Sequence, residues 1–250
     1  MRHALLRDLG EDATGVAVFG QMEFASAWAA FNFVVLEPGA AFESGAKGPC
    51  EEGYVVLQEG AVLESEGGGA KAPAPGGVLA PIGVPHRVIN RAAHKVEMLY
   101  VRVAMRQGQG NTAVQVAEID AAVLKWRDAI HGGVGRIATR HIWGPDDFAS
   151  SWTFMDHAVL EQDSSVGCHY HDALEEVFVI LRGRGYMTVG EETIEVGPGS
   201  VTWQGIGQGH GIYNPYPEEL DFLRLAVAQP NVEYTSIDLD DSLAARRPAQ

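Results

Sequence analysis

The amino-acid sequence predicts an all-β chain made of two tandem β-sandwiches or barrels. Three observations carry that reading. The chain repeats itself once, its segments are short and apolar or alternating, and glycine and proline punctuate them. Thirty glycines and twelve prolines fit many short elements joined by tight turns, while 46% hydrophobic residues over 250 positions suffice for a large core.

The repeat appears when the sequence is shifted by 124 residues. FASAW (24–28) then falls on FASSW (148–152), and VVLE (34–37) on AVLE (158–161). EEGYVVL (51–57) falls on EEVFVIL (175–181), and IGVPHRVIN (82–90) on IGQGHGIYN (206–214). A single offset for four blocks means that insertions within the repeat nearly cancel. The expected division is an N-terminal barrel over 1–111, a connector over 112–142 and a C-terminal barrel over 143–250 that carries a terminal arm. Within each module, segments such as SWTFMDHAVLE and DFLRLAVAQ read as strands, and GEETIEV as a hairpin turn with its return strand. The connector, TAVQVAEIDAAVLKWRDAIHGG, is only partly helix-periodic and stops at Gly132-Gly133. The polar tail from Gln229 reads as a peripheral arm.

A net charge of −15 argues against nucleic acid or an anionic membrane surface as partner. Two cysteines, Cys50 and Cys168, make neither a disulfide framework nor a zinc knuckle. The opening MRHALLRDLG lacks the apolar run of a signal peptide, and no segment reaches membrane-spanning length, so the expected location is the cytoplasm.

Chemistry concentrates in GCHYHDALEEVFVILRG (167–183). In an extended segment His169 and His171 point to one face, with Cys168 and Tyr170 on the other. Glu175 and Glu176 open the next strand, and only one of them can share that face. His210 arrives 34 residues beyond Glu176. Three histidines and a carboxylate inside a small barrel suit a first-row divalent metal.

The stretch resembles the first motif of the cupin superfamily, Gly-(five or so)-His-x-His-(four)-Glu-(six)-Gly. His171, Glu176 and Gly183 fit its latter half, while Gly167, two residues before His169, departs from the expected leading glycine. His210 and Asn214 have the spacing of the second motif, although GPGS and GIGQG differ from it in detail. The resemblance covers both modules and implies a bicupin of two jelly-roll (double-stranded β-helix) barrels with a short, partly helical connector. It implies His169, His171, Glu176 and His210 as ligands of one iron, manganese, nickel or zinc ion, with Glu176 chosen because six residues separate it from Gly183. In the first module Gly45 and Lys47 stand where the second has His169 and His171, while Glu52 and His86 keep their counterparts. That remnant is expected to hold no metal tightly; Cys50 is the residue that could supply a third ligand, against a structural thiol. The first module is then a packing partner, or a separate ligand pocket.

His157 falls opposite Phe33, so the second module gains an ionisable group, either an acid, base or substrate contact or a strand histidine bonded to a backbone carbonyl. Tyr186, Trp203 and Gln204 lie on strands near the site, Arg182 and Arg184 in a solvated turn, and His131 and His141 outside both motifs with no assigned role. The ligand set leaves two metal positions open for substrate and dioxygen, or for two oxygens of one substrate. The expected function is an enzyme acting on a small organic molecule, first an oxygen-dependent dioxygenase, second a redox-neutral isomerase, cyclase, decarboxylase or lyase. A non-catalytic, metal-stabilised binding protein is the third reading. A homodimer is a further expectation, since barrels of this kind bury strand edges against each other.

Overall fold

The computed structural model describes residues 2–19, 24–44, 48–66, 68–106 and 113–248. These form two β-units, each with two antiparallel sheets facing one another in the jelly-roll manner. The N-terminal unit comprises Arg7–Asp120 with Pro145–Trp152; the C-terminal unit comprises Met1–Leu6, Ala121–Gly144 and Thr153–Gln250.

In the C-terminal unit the larger sheet runs Arg2–Leu5, Ser200–Gln204, Leu174–Arg182, Leu220–Ala228, Trp152–Leu160, Arg136–Trp143 and Trp126–Asp128. The smaller runs Glu192–Val196, Gly185–Val189, His210–Asn214, Ser164–His171 and Ser236–Asp238. Period-two alternation explains the core between them: Ala158 and Leu160, Phe178 and Ile180, Met187 and Val189, and Leu220 and Phe222 all point inward. Each large side chain buried there contributes roughly 1.5–3 kcal/mol. GEETIEV forms the expected hairpin, with Gly185–Val189 paired to Glu192–Val196.

The N-terminal unit repeats the plan. Its larger sheet runs Gln115–Glu118, Gly76–Leu79, Cys50–Val56, Val96–Ala104, Trp28–Leu36 and Val16–Ala17, facing Ala41–Glu43, His86–Asn90, Ala61–Ser65 and Gly68–Lys71. Trp28–Leu36, Cys50–Val56, His86–Asn90 and Val96–Ala104 each start 124 residues before their counterparts, so the internal offset is a structural repeat.

Two edges depart from the linear division. The chain's first strand, Arg2–Leu5, pairs with Ser200–Gln204 of the C-terminal unit, and the connector strand Gln115–Glu118 closes the N-terminal unit's sheet against Gly76–Leu79. Each supplies backbone partners to an otherwise open edge. The helical part of the connector is one 3-10 turn, Ala121–Val123, because its apolar residues follow strand pairing rather than a helical stripe.

The asparagine of the second motif is structural in both units. Asn214 donates to the carbonyls of Leu160 (3.2 Å) and Glu218 (2.9 Å) and accepts from Tyr216 N (3.0 Å). Asn90 does the same with Leu36, His94 and Ala92. Asn214 is wholly buried, so Asn214→Ala would orphan these groups and is expected to cost on the order of 2–4 kcal/mol, read as a lower denaturation midpoint in urea.

Gly183 has φ +76, and a Cβ there would lie 2.1 Å from the Glu219 carbonyl oxygen, so the last residue of the first motif is fixed as glycine by the turn.

Candidate metal centre

His169 and His171 end the strand Ser164–His171, whose alternation turns both rings inward. His169 pairs across the sheet with His210, and Glu176 comes from the facing sheet in register with Gln204 and Ala226. One potential ligand atom from each of His169, His171, Glu176 and His210 lies within 4.8 Å of the other three, and all four residues are buried. Glu176 Oε2 is 3.1 Å from His210 Nε2 and 3.4 Å from His171 Nε2.

The outer ring nitrogens settle where the protons are. His169 Nδ1 lies 2.9 Å from the Gly167 carbonyl oxygen and His210 Nδ1 2.9 Å from that of Gln208. A carbonyl only accepts, so each Nδ1 carries the hydrogen, and in a neutral ring this leaves Nε2 as a bare lone pair. His169 Nε2 is buried with no hydrogen-bond partner, as is Glu176 Oε1. Burial, helped by the positive charge His210 can carry, pushes the His169 imidazolium down to about 2, so the ring is neutral. A bare lone pair on His210 beside a carboxylate oxygen repels it unless a proton or a cation stands between. The donor set therefore fits a divalent metal ion.

The surrounding groups were only partly legible in the sequence. Gly167, the residue that departs from the family motif, has a steric reason: a Cβ there would sit 1.8 Å from the His131 carbonyl oxygen. The close approach lets His131 stack on His169, centroids 3.7 Å apart and planes 6° from parallel, with His131 Nδ1 2.8 Å from Asp238 Oδ1. The tail from Gln229 is not peripheral. Ser236–Asp238 pairs with His169–His171, Ser236 Oγ lies 3.0 Å from His171 Nδ1, and Tyr234 meets the His171 ring edge-on at 5.7 Å. Its polar sequence reads as a loose arm because strand pairing and side-chain contacts to histidines need no apolar pattern.

Beside the cluster lies a cavity of about 440 Å³ lined in part by His171, His131, His141, Phe154, Asp156 and Arg224. Arg224 donates to Asp156 Oδ2 at 2.6 Å and lies 3.7 Å from Glu176 Oε1, and Asp156 also bonds His141 Nδ1. That hydrogen bond raises the His141 pKa against the opposing effect of burial. His131 and His141 carry no repeat counterpart or motif, so no sequence signal marked them.

Of the other candidates, Gln204 stands opposite Glu176 in the sheet and shares its face, whereas His157, Tyr186, Trp203, Arg182 and Arg184 do not join the cluster. His157 is buried on the opposite face of its strand from Phe154 and Asp156, its Nε2 2.8 Å from Asp221 Oδ1 rather than bonded to a backbone carbonyl. Tyr186 packs with Tyr213 and Cys168, Trp203 carries Arg2 over its ring, and Gln204 donates to Thr202. Arg182 and Arg184 are exposed and face Glu219 and Glu218.

In the N-terminal unit Glu52 and His86 do meet, Oε2 to Nε2 at 3.3 Å, while Gly45 and Lys47 lie outside the described residues. Tyr54 OH is 2.8 Å from His86 Nε2, Ser44 donates to Glu52 Oε1, and Arg102 lies 3.2 Å from the same oxygen. Cys50 lines the adjoining cavity of about 270 Å³ as a free thiol, raised by burial. Burial would lower His86, but Glu52 and the Val84 carbonyl outweigh it and raise its pKa; burial would raise Glu52, but His86, Ser44 and Arg102 outweigh it and lower it. The His86 contribution to stability is complete below its ordinary 6.5 and is lost as pH rises through its raised value. That of Glu52 is complete above its ordinary 4.5 and is lost as pH falls through its lowered value. The Tm gap between the wild type and Glu52→Gln is therefore expected to be widest between pH 4.5 and 6.5 in calorimetric scans.

The C-terminal unit, two facing antiparallel sheets around an inward histidine–glutamate cluster, has the architecture of a cupin barrel, and the N-terminal unit repeats that fold. Residues 157–227 match the model of the cupin domain family. An oxalate-binding protein from Thermotoga maritima is 26% identical over 123 residues, which is 49% of this chain and 98% of that protein. Among solved structures, an IolB-like protein from Salmonella typhimurium LT2 superposes with TM-score 0.67 at 12% identity, covering 94% of this chain and 96% of the other. Oxalate decarboxylase from Bacillus subtilis superposes with TM-score 0.63 at 14% identity, covering 94% and 79%. At such identities the structural likeness concerns the fold. No helix among the described residues is long and apolar enough to cross a membrane.

Proposed function

We propose that the chain is a metal-dependent enzyme acting on a small organic acid, with one ion held by His169, His171, Glu176 and His210 in the C-terminal barrel. The observation that carries this is the buried Nε2 of His169, which has no hydrogen-bond partner, beside the His210 Nε2 and the Glu176 carboxylate. The match to a protein named as oxalate-binding supports an acid as the substrate.

A divalent ion bound there supplies Lewis acidity toward a substrate oxygen. The chain's own contribution is proton handling and orientation. The Asp156 hydrogen bond at Nδ1 raises the His141 pKa, so that Nε2 of this cavity-wall ring is the nitrogen left to give a proton to, or take one from, a substrate carbon or oxygen. Arg224 fixes Asp156 from the other side, so the His141 ring is oriented through a carboxylate that is itself immobile. Tyr234 and the stacked His131 cover the two histidines of the strand and keep water from their rings. This arrangement favours redox-neutral proton-transfer chemistry: isomerisation, cyclisation, decarboxylation or elimination.

The ligand set favours a second reading. Three imidazoles and a carboxylate also suit iron, and with it oxygen-dependent dioxygenase chemistry. Turnover of a panel of organic acids in air and under argon separates the two. Retained anaerobic turnover supports proton transfer, and a strict need for oxygen selects the dioxygenase. If metal analysis finds no ion on the purified chain after reconstitution, neither reading survives.

A further inference from the structure

From the C-terminal cavity we infer that the substrate is a carboxylate attached to an apolar body, a ring or branched chain, and not a two-carbon diacid. The inference deepens the proposed function and rests on its placing substrate beside the metal cluster.

Charge comes first. The chain as a whole carries −15, yet this wall holds three guanidiniums, Arg127, Arg140 and Arg224, and one carboxylate, Asp156. Arg224 already takes up that carboxylate at 2.6 Å. A cationic recess in an acidic protein attracts anions and excludes cations, and arginine is the side chain suited to gripping a carboxylate in two places.

Size and wall chemistry exclude the smallest acids. About 440 Å³ lies in the range of pockets that take larger organic ligands. A two-carbon diacid would leave most of that space to water. The apolar part of the wall, Ile130 and Phe154, would then face water instead of substrate. The phenol of Tyr234 adds a flat surface at the same cavity. An aryl or branched acid covers these surfaces while its carboxylate meets arginine.

The test is calorimetric titration of the full-length, metal-reconstituted chain with benzoate, oxalate and the uncharged benzyl alcohol, alongside metal analysis of the same samples. Benzoate is expected to bind at least tenfold more tightly than either of the others. Arg127→Gln, a change at an exposed side chain, is expected to weaken benzoate at least tenfold with metal content unchanged. Ile130→Ser is expected to weaken benzoate and leave oxalate as it was. Oxalate binding as tightly as benzoate, or benzoate binding untouched by both substitutions, overturns the inference. A chain that prefers benzoate in this way yet retains no metal upholds the inference about the cavity and removes the metal-dependent reading instead.

Discussion

Replacing His169 or His210 with alanine is expected to reduce bound metal from one ion per chain to none and to abolish turnover, with the fold retained. Both rings are buried; His169 Nε2 has no hydrogen-bond partner and His210 Nε2 meets the Glu176 carboxylate, so a bound ion would be the polar partner that completes both. The His169 ring is neutral, removing His210 also takes a partner from the buried Glu176 carboxylate, and either substitution breaks a backbone hydrogen bond. What it strands is the Gly167 or Gln208 carbonyl that Nδ1 occupied, a loss of roughly 1–3 kcal/mol. The Tm of either variant should fall below that of metal-free wild type by the equivalent of that loss and should not rise on adding metal. Wild type should rise, by about 2.7 kcal/mol in stability at a hundredfold excess of metal over its dissociation constant. His86→Ala is the control. It removes the matching ring of the N-terminal unit, where Tyr54 and Glu52 already occupy Nε2, and is expected to leave metal content unchanged in elemental analysis. Loss of an equivalent of metal from that variant would place the ion in the other unit.

The contrast between the two units was partly written in the repeat. Register alone aligns Glu52 with Glu176 and His86 with His210, and the structure gives the two units corresponding strands for them. The same register shows Tyr54 opposite Phe178 and Tyr100 opposite Arg224, but not what these changes accomplish. In the N-terminal unit a tyrosine hydroxyl takes up the histidine nitrogen; in the C-terminal unit phenylalanine cannot, and Arg224, 3.7 Å from Glu176, stands where the N-terminal unit has Tyr100. Side-chain alternation made the pair His169 and His171 legible, because period two is a local property of an extended chain. His131, His141, Asp156 and Asp238 were not legible. Their partners lie between 15 and 107 residues away, and only the folded sheets bring them together. Gly167 shows the limit most plainly. As a sequence feature it is a defect in a motif, and its meaning is a backbone approach by a segment more than thirty residues earlier.

Ending the chain after Gln229 is expected to weaken metal binding at least tenfold while both barrels remain folded. The arm contributes three things to the centre. Ser236–Asp238 supplies the outer backbone partners of His169–His171, holding the ligand strand flat at its free edge. Ser236 Oγ fixes the His171 ring through Nδ1, and Asp238 holds His131 against His169. Partners of this outer kind, when removed, typically cost 10- to 100-fold in metal affinity. The arm is clipped on by Thr235, which donates from N and Oγ1 to Asp172, and by Leu243, buried against Cys168 and Tyr213, worth roughly 1.5–3 kcal/mol. Since the barrel core of Leu160, Phe178, Ile212 and Phe222 lies elsewhere, truncation should lower Tm modestly and leave the far-ultraviolet spectrum of a β-protein. Competition with a chelator gives the affinity. Ser236→Ala, which removes a single hydroxyl, is expected to move affinity in the same direction by a smaller factor. A truncated chain that holds its ion through chelator as firmly as the full chain would show that the arm is the loose appendage its polar sequence suggests, and that His171 is oriented from within the barrel alone.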